Sequence, residues 1–135
     1  MYLANCNFWI TFAMKKHRTV IVYRSYFEEF LDLQTSKVQE KILQILRIIE
    51  EIDVIPTNHL RHIEGTNGLF EIRVSFGRNI FRVFCFFDTG QLVVLLSGFQ
   101  KKTQKTPRKE IEKAVRLMNE YYIEKATETN VLNIN

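Results

Sequence analysis

The run Phe70-Glu71-Ile72-Arg73-Val74-Ser75-Phe76-Gly77-Arg78-Asn79-Ile80-Phe81-Arg82-Val83-Phe84-Cys85-Phe86-Phe87 decides the fold. Phe70, Ile72, Val74 and Phe76 alternate with Glu71, Arg73 and Ser75, the two-residue period of a strand with one face on a core. Gly77-Arg78-Asn79 is turn chemistry, and so is Asp88-Thr89-Gly90 further on. These links predict an antiparallel meander of three strands, Leu69–Phe76, Ile80–Phe87 and Gln91–Ser97. Arg82 shares its side of the second strand with Ile80, Phe84 and Phe86. An arginine on an apolar face is costly unless a partner or a ligand meets it.

Before the meander, Thr19-Val20-Ile21-Val22-Tyr23 is short and β-branched, which predicts a first strand. Ser25-Tyr26-Phe27-Glu28 has the form of a capping box and predicts a short helix to about Leu33. Ser36-Lys37-Val38-Gln39 repeats that signal, and Val38, Ile42, Ile45, Ile49 and Ile52 form one apolar stripe ending near Asp53, ahead of Pro56. Residues 57–68 read as a polar loop. After the meander, Thr106 as N-cap and Pro107 at the first helical position open a last helix. Its stripe is Ile111, Ala114, Val115, Met118, Tyr121 and Tyr122, and it is expected to fade near Lys125, with residues 126–135 a frayed tail. Residues 1–13 look unlike the rest, and Met14-Lys15-Lys16-His17 reads as a start, so residues 1–13 are an N-terminal extension to a domain over 14–125.

A chain of 135 residues fits one α+β domain, and its 46% hydrophobic content supplies a core that needs neither metal nor disulfide. Cys6 and Cys85 lack CxxC spacing, and Cys85 sits in an apolar run, which predicts a buried thiol. No apolar stretch reaches the roughly 20 residues that span a bilayer. The charges Lys15, Lys16, His17 and Arg18 follow the first apolar run where a secretory signal places them ahead of it. A cytoplasmic, membrane-free protein is the expectation.

Charge is concentrated. Residues 56–109 hold nine Lys/Arg against three acids, whereas the rest of the chain holds ten against twelve. A local positive stretch suits a phosphate-binding face. Gly98-Phe99-Gln100-Lys101-Lys102-Thr103-Gln104-Lys105-Thr106-Pro107 puts three lysines and an aromatic between a strand and a helix start, where free amides also favour phosphate. Phe99 could stack on an unpaired base. The alternative is a solvated basic loop, against which Arg73 and Arg82 on neighbouring strands weigh. Trp9, Tyr121 and Tyr122 are read as packing residues, and the three histidines and two cysteines match no zinc spacing.

Three runs carry a resemblance: His62-Ile63-Glu64-Gly65-Thr66-Asn67-Gly68-Leu69-Phe70-Glu71-Ile72-Arg73-Val74, Asn79-Ile80-Phe81-Arg82-Val83, and Gly98 through Pro107. From about Arg18 to Lys125 the chain resembles the phage-derived, HigB-like branch of the RelE/ParE toxin superfamily, whose order of strand, two helices, three strands and terminal helix is the order read above. The resemblance implies a RelE-like microbial RNase fold, a cognate helix-turn-helix antitoxin, and cleavage of mRNA on the ribosome without metal or small-molecule cofactor. In that reaction the ribose 2′-OH attacks its own phosphodiester, which calls for a base, cations and an acid. Arg82 then corresponds to the arginine of an aromatic-Arg strand motif and stabilises transition-state charge beside Arg73. Lys101 and Lys102 serve phosphate binding or acid duty, and Arg61, Arg78, Phe99 and Lys105 contact RNA.

The base is less defined. His59 and His62 occupy the loop ahead of the central strands, where some relatives carry a histidine, and His62 is the candidate, with an idle or structural loop histidine as the alternative. Phe99 occupies the late position where relatives carry a proton-transferring group, and a lysine with a lowered pKa is the other choice. Two rivals stay open: a same-fold toxin that binds DNA gyrase and cuts no RNA, and an inactive relative that binds nucleic acid or antitoxin.

Overall fold

The computed structural model describes residues 16–102 and 105–134; the extension expected over residues 1–13, with Cys6 and Trp9, lies outside them. Two helices follow the first strand, β1 (Thr19–Val22): α1 (Tyr26–Asp32) and α2 (Ser36–Glu51). The capping signals shift by a residue or change partner. Ser25 makes no side-chain cap to α1, and its hydroxyl bonds Glu29 instead, at 2.6 Å. α2 is capped by Thr35, whose side chain accepts from the Val38 amide at 3.4 Å, and Ser36 is its first residue. Val38, Ile42, Ile45 and Ile49 are buried as the stripe requires, while Ile52 is the C-cap and half exposed. Arg18 closes that end, donating to the carbonyls of Ile49 and Ile52 at 3.0 and 2.7 Å, a cation where helix carbonyls lack partners.

The sheet has five strands in the order β1-β5-β4-β3-β2, with β2 Leu60–His62, β3 Phe70–Phe76, β4 Asn79–Asp88 and β5 Leu92–Lys101. The meander stands as expected, and the α+β class with it. β2 is new: part of the expected loop pairs antiparallel with β3, Leu60 opposite Ile72 and Arg61 opposite Glu71. β1 lies parallel to β5, so the sheet is mixed and only the other pairings are antiparallel. β5 also runs four residues beyond Ser97, so Gly98 to Lys101 are strand where a loop was expected.

One irregularity sets what β5 presents. Val83 pairs with Gly98 but Cys85 pairs with Leu95, so β5 carries one extra residue opposite Phe84. Such a bulge reverses the alternation beyond it. Val94 and Leu96 face the same side as Phe84 and Phe86; without the bulge Gly98 would follow them, yet Phe99 and Lys101 do, opposite Arg82 and Ile80.

α1 and α2 cover one face, where Phe27, Phe30, Ile42, Ile45 and Ile49 meet Ile72, Val74, Phe81, Val83, Cys85 and Leu95. Full burial of each such side chain contributes about 1.5–3 kcal/mol. The other face packs Phe84, Phe86, Val94 and Leu96 under Ala114, Leu117 and Met118 of α3 (Arg108–Ile134). α3 begins one residue later than Thr106-Pro107 predicts, and it continues past Lys125 to Ile134, so the expected frayed tail is helix in this structure. Further along that face, Arg73 and Ser75 stay exposed.

Candidate nucleic-acid interface

The register of β3 and β4 builds the site. Arg73 pairs directly with Arg82, and residues directly opposite in an antiparallel pair project to the same side. Arg61 reaches that side from β2 through its pairing with Glu71, and Lys101 reaches it from β5 beyond the bulge. Four cations from four strands thus share one stretch of sheet around one carboxylate.

That carboxylate is Glu71, which the alternation pattern had placed on the side away from the core. It is fully buried, and Arg82 is 5% exposed. Glu71 Oε1 accepts from Arg82 Nη1, and Glu71 Oε2 accepts from the Thr106 hydroxyl at 2.9 Å. Arg82 therefore has the partner that its apolar setting demands. Removing either member of a buried pair leaves an uncompensated charge, at a cost of about 3–5 kcal/mol. The Arg82 Nε, also buried, has no hydrogen-bond partner among the described residues. Arg82 lines a cavity of about 30 Å³ with Thr57, Leu60, Arg61, Glu71 and Arg73.

The charges act on one another. Burial lowers the Arg82 pKa, Glu71 works against that, and Arg73 and Arg61 add to it. Lys101 is pulled below the ordinary lysine value, first by desolvation and then by Arg82, with Arg61 and Arg73 contributing and Glu71 opposing. Repulsion among like charges favours the neutral amine. Lys101 lines a groove of about 550 Å³ with Arg61, His62, Ile63, Glu64, Lys105, Thr106 and Ile111.

Not every residue singled out in the sequence joins this cluster. His62 borders the groove, but it pairs with Phe70 and meets that ring edge-on at 5.2 Å, on the helix-covered face opposite the arginines. Arg78 stands in the β3–β4 turn. Phe99 lies opposite Arg82, its ring stacked on Phe84 at 5.5 Å, so a base has only its other face. Lys102 parts from Lys101 and borders a second groove with Phe99, Tyr26 and Lys113. Among the described residues, no His, Cys, Asp and Glu cluster could hold a metal ion, and no helix is long and apolar enough to cross a membrane.

Two residues escaped the sequence reading. Glu71 had a signal: a two-residue turn at Gly77-Arg78 pairs Phe76 with Asn79, and counting back sets Arg73 opposite Arg82 with Glu71 one step along the same side. Thr106 had none beyond its resemblance to a cap.

Fold and site define a small mixed-sheet α+β protein with a cationic face fit for a polyanion. The family model of the phage-derived Gp49-like proteins (DUF891) matches residues 29–119, and the chain belongs to that family, a family of RelE-like toxins. The crystal structure of the archaeal RelE–RelB complex from Pyrococcus horikoshii OT3 is similar at 18% identity and a TM-score of 0.45, over 60% of this chain and 91% of that one. No curated protein matches the sequence.

Proposed function

We propose that this protein is the toxin of a toxin–antitoxin pair, of the HigB-like branch, and a ribosome-dependent mRNA endoribonuclease in the cytoplasm. The observation that carries the reading is the grouping of Arg61, Arg73, Arg82 and Lys101 on one sheet face. Family membership supports it. A scissile phosphate gains negative charge as the 2′-oxygen attacks, and preorganised cations lower that barrier.

Arg73 and Arg61 hold the phosphate, and Arg82 adds positive charge from behind through its small cavity. Lys101, its pKa lowered, takes the 2′-OH proton. The 2′-oxygen bonds phosphorus, the bond to the 5′-oxygen breaks, and that oxygen takes a proton from water, whose hydroxide recovers the proton held by Lys101. The products are a 2′,3′-cyclic phosphate and a 5′-hydroxyl, and no metal is called for. His62 remains a rim residue in this reading, with Lys105 as a further phosphate contact. A cognate helix-turn-helix antitoxin covers or distorts the cationic face.

Primer extension in a translating extract, with and without active ribosomes, tests this. Cuts on translated message that weaken about 10²–10⁴-fold with Lys101→Met, and similarly with Arg73→Ala, are expected. Intact message beside arrested growth would replace the nuclease with a gyrase-binding toxin, and absence of toxicity with an inactive relative.

A further inference from the structure

We infer that Glu71 is a positioning residue whose one buried carboxylate sets the Arg82 guanidinium with one oxygen and fastens Thr106, ahead of α3, with the other. As a role in RNA cleavage this rests on the function proposed above; as a structural device it does not. Glu71 has no exposed surface, so it cannot touch a substrate. Its two oxygens serve elements 11 and 35 residues away in sequence, Arg82 on β4 and Thr106 after β5. Thr106 and Lys101 line the same groove, and Lys101 is the last residue of β5. Fixing Thr106 therefore fixes a wall of the groove that Lys101 also lines.

Two features argue that the pair does more than hold the core. The face carries three other cations, and a buried arginine among them is repelled by each, so without Glu71 it would turn outward. The Arg82 Nε also lacks a partner among the described residues, so the direction of the side chain depends on its bond to Glu71.

The two bonds should separate kinetically. Glu71→Gln keeps the shape and the Thr106 bond while weakening the hold on Arg82. It should lower kcat about 10–100-fold with KM changed less than about threefold, the signature of a misaligned group that matters in the transition state. Thr106→Val loosens the groove wall that faces Lys101 and should raise KM more than it lowers kcat, whereas Thr106→Ser restores the hydroxyl and should behave as the parent. Thermal unfolding identifies variants that fold, and only those count.

Nitrogen-detected NMR of the Arg82 guanidinium supplies a readout independent of activity. A held guanidinium gives a resolved, slowly rotating Nε signal, which Glu71→Gln should broaden and Thr106→Val should leave. An unchanged Arg82 signal in folded Glu71→Gln protein would overturn the positioning role, and so would an unchanged kcat in an active background. If the parent protein cuts no RNA, the nuclease reading fails while the NMR comparison still decides whether Glu71 holds Arg82.

Discussion

Arg73 and Arg82 are directly opposed on neighbouring strands, two guanidinium side chains on one face where a stability-driven sequence would alternate charge or place apolar residues. Like charges opposite one another destabilise a sheet. Glu71 pairs with Arg82, the buried one, and Arg73 stays exposed. That arrangement is the one the proposed binding of an anion calls for.

It follows that Arg73→Gln should stabilise the free protein, by about 0.2–1 kcal/mol in urea unfolding. The same change should weaken binding of single-stranded RNA and reduce the slope of log K against log salt by about one contact. A loss of stability in Arg73→Gln would mean that Arg73 is held by something other than a ligand.

Lys101 gives a pH prediction whose sign follows from its lowered pKa, caused by desolvation and then by Arg82. Its folded value lies below the unfolded 10.5, so between the two the unfolded chain binds more protons. The Lys101 contribution to stability should therefore improve as pH rises through that window, and Lys101→Met should lose this slope. Cleavage should rise with pH up to the lowered pKa, because the proposed base is the neutral amine. A rate that falls over the same range would make Lys101 the acid.

How much of this could be read from the sequence depends on the range of each interaction. The meander, α2 and the start of α3 were legible because period and turn chemistry are local. The sequence shows that Arg82 needs a partner, but that partner sits on another strand and appears only once the register is fixed. β2 was not legible, since Leu60-Arg61-His62 is too short to show a period. The bulge opposite Phe84 was not legible either, although it decides that Lys101 faces the arginines. Thr106 was read as a helix cap because Thr-Pro is a local signal; its bond to Glu71 spans 35 residues.

Gly98 shows the same limit and yields a third prediction. A Cβ there would lie 2.5 Å from Phe30 Cδ2 and 2.8 Å from Cε2, so the ring of α1 rests on bare strand backbone. Gly98→Ala should displace Phe30 and cost about 1–3 kcal/mol. In a double-mutant cycle, Phe30→Leu should recover part of that loss, with a coupling above about 0.5 kcal/mol. Strictly additive costs would show that the ring can move aside without penalty.

At the far end of the sheet Asp88 joins the β4–β5 turn to α3, accepting from the Tyr121 hydroxyl and Lys125 Nζ at 2.7 Å each, and from the Thr89 amide at 2.7 Å. Burial pushes its pKa up, but the bonds from Lys125, Tyr121 and Thr89 outweigh it and hold it below the ordinary 3.8. Its stabilising contribution is therefore present above 3.8 and is lost as pH falls through the lower folded value. Tyr121 moves the opposite way: burial, then the bond to Asp88, push it up to about 12 from 10.0. Its contribution holds below pH 10 and disappears between 10.0 and about 12. Asp88→Asn should flatten the acid limb of urea stability measured against pH and lower the alkaline tyrosinate midpoint seen by absorbance. Tyr121→Phe should remove that late-titrating tyrosinate while keeping most of the acid limb, because Lys125 and the Thr89 amide still hold the carboxylate. If Tyr121→Phe erased both limbs equally, the tyrosine hydroxyl alone would be fastening α3 to the turn, and the lysine contact would be a surface pairing of little weight.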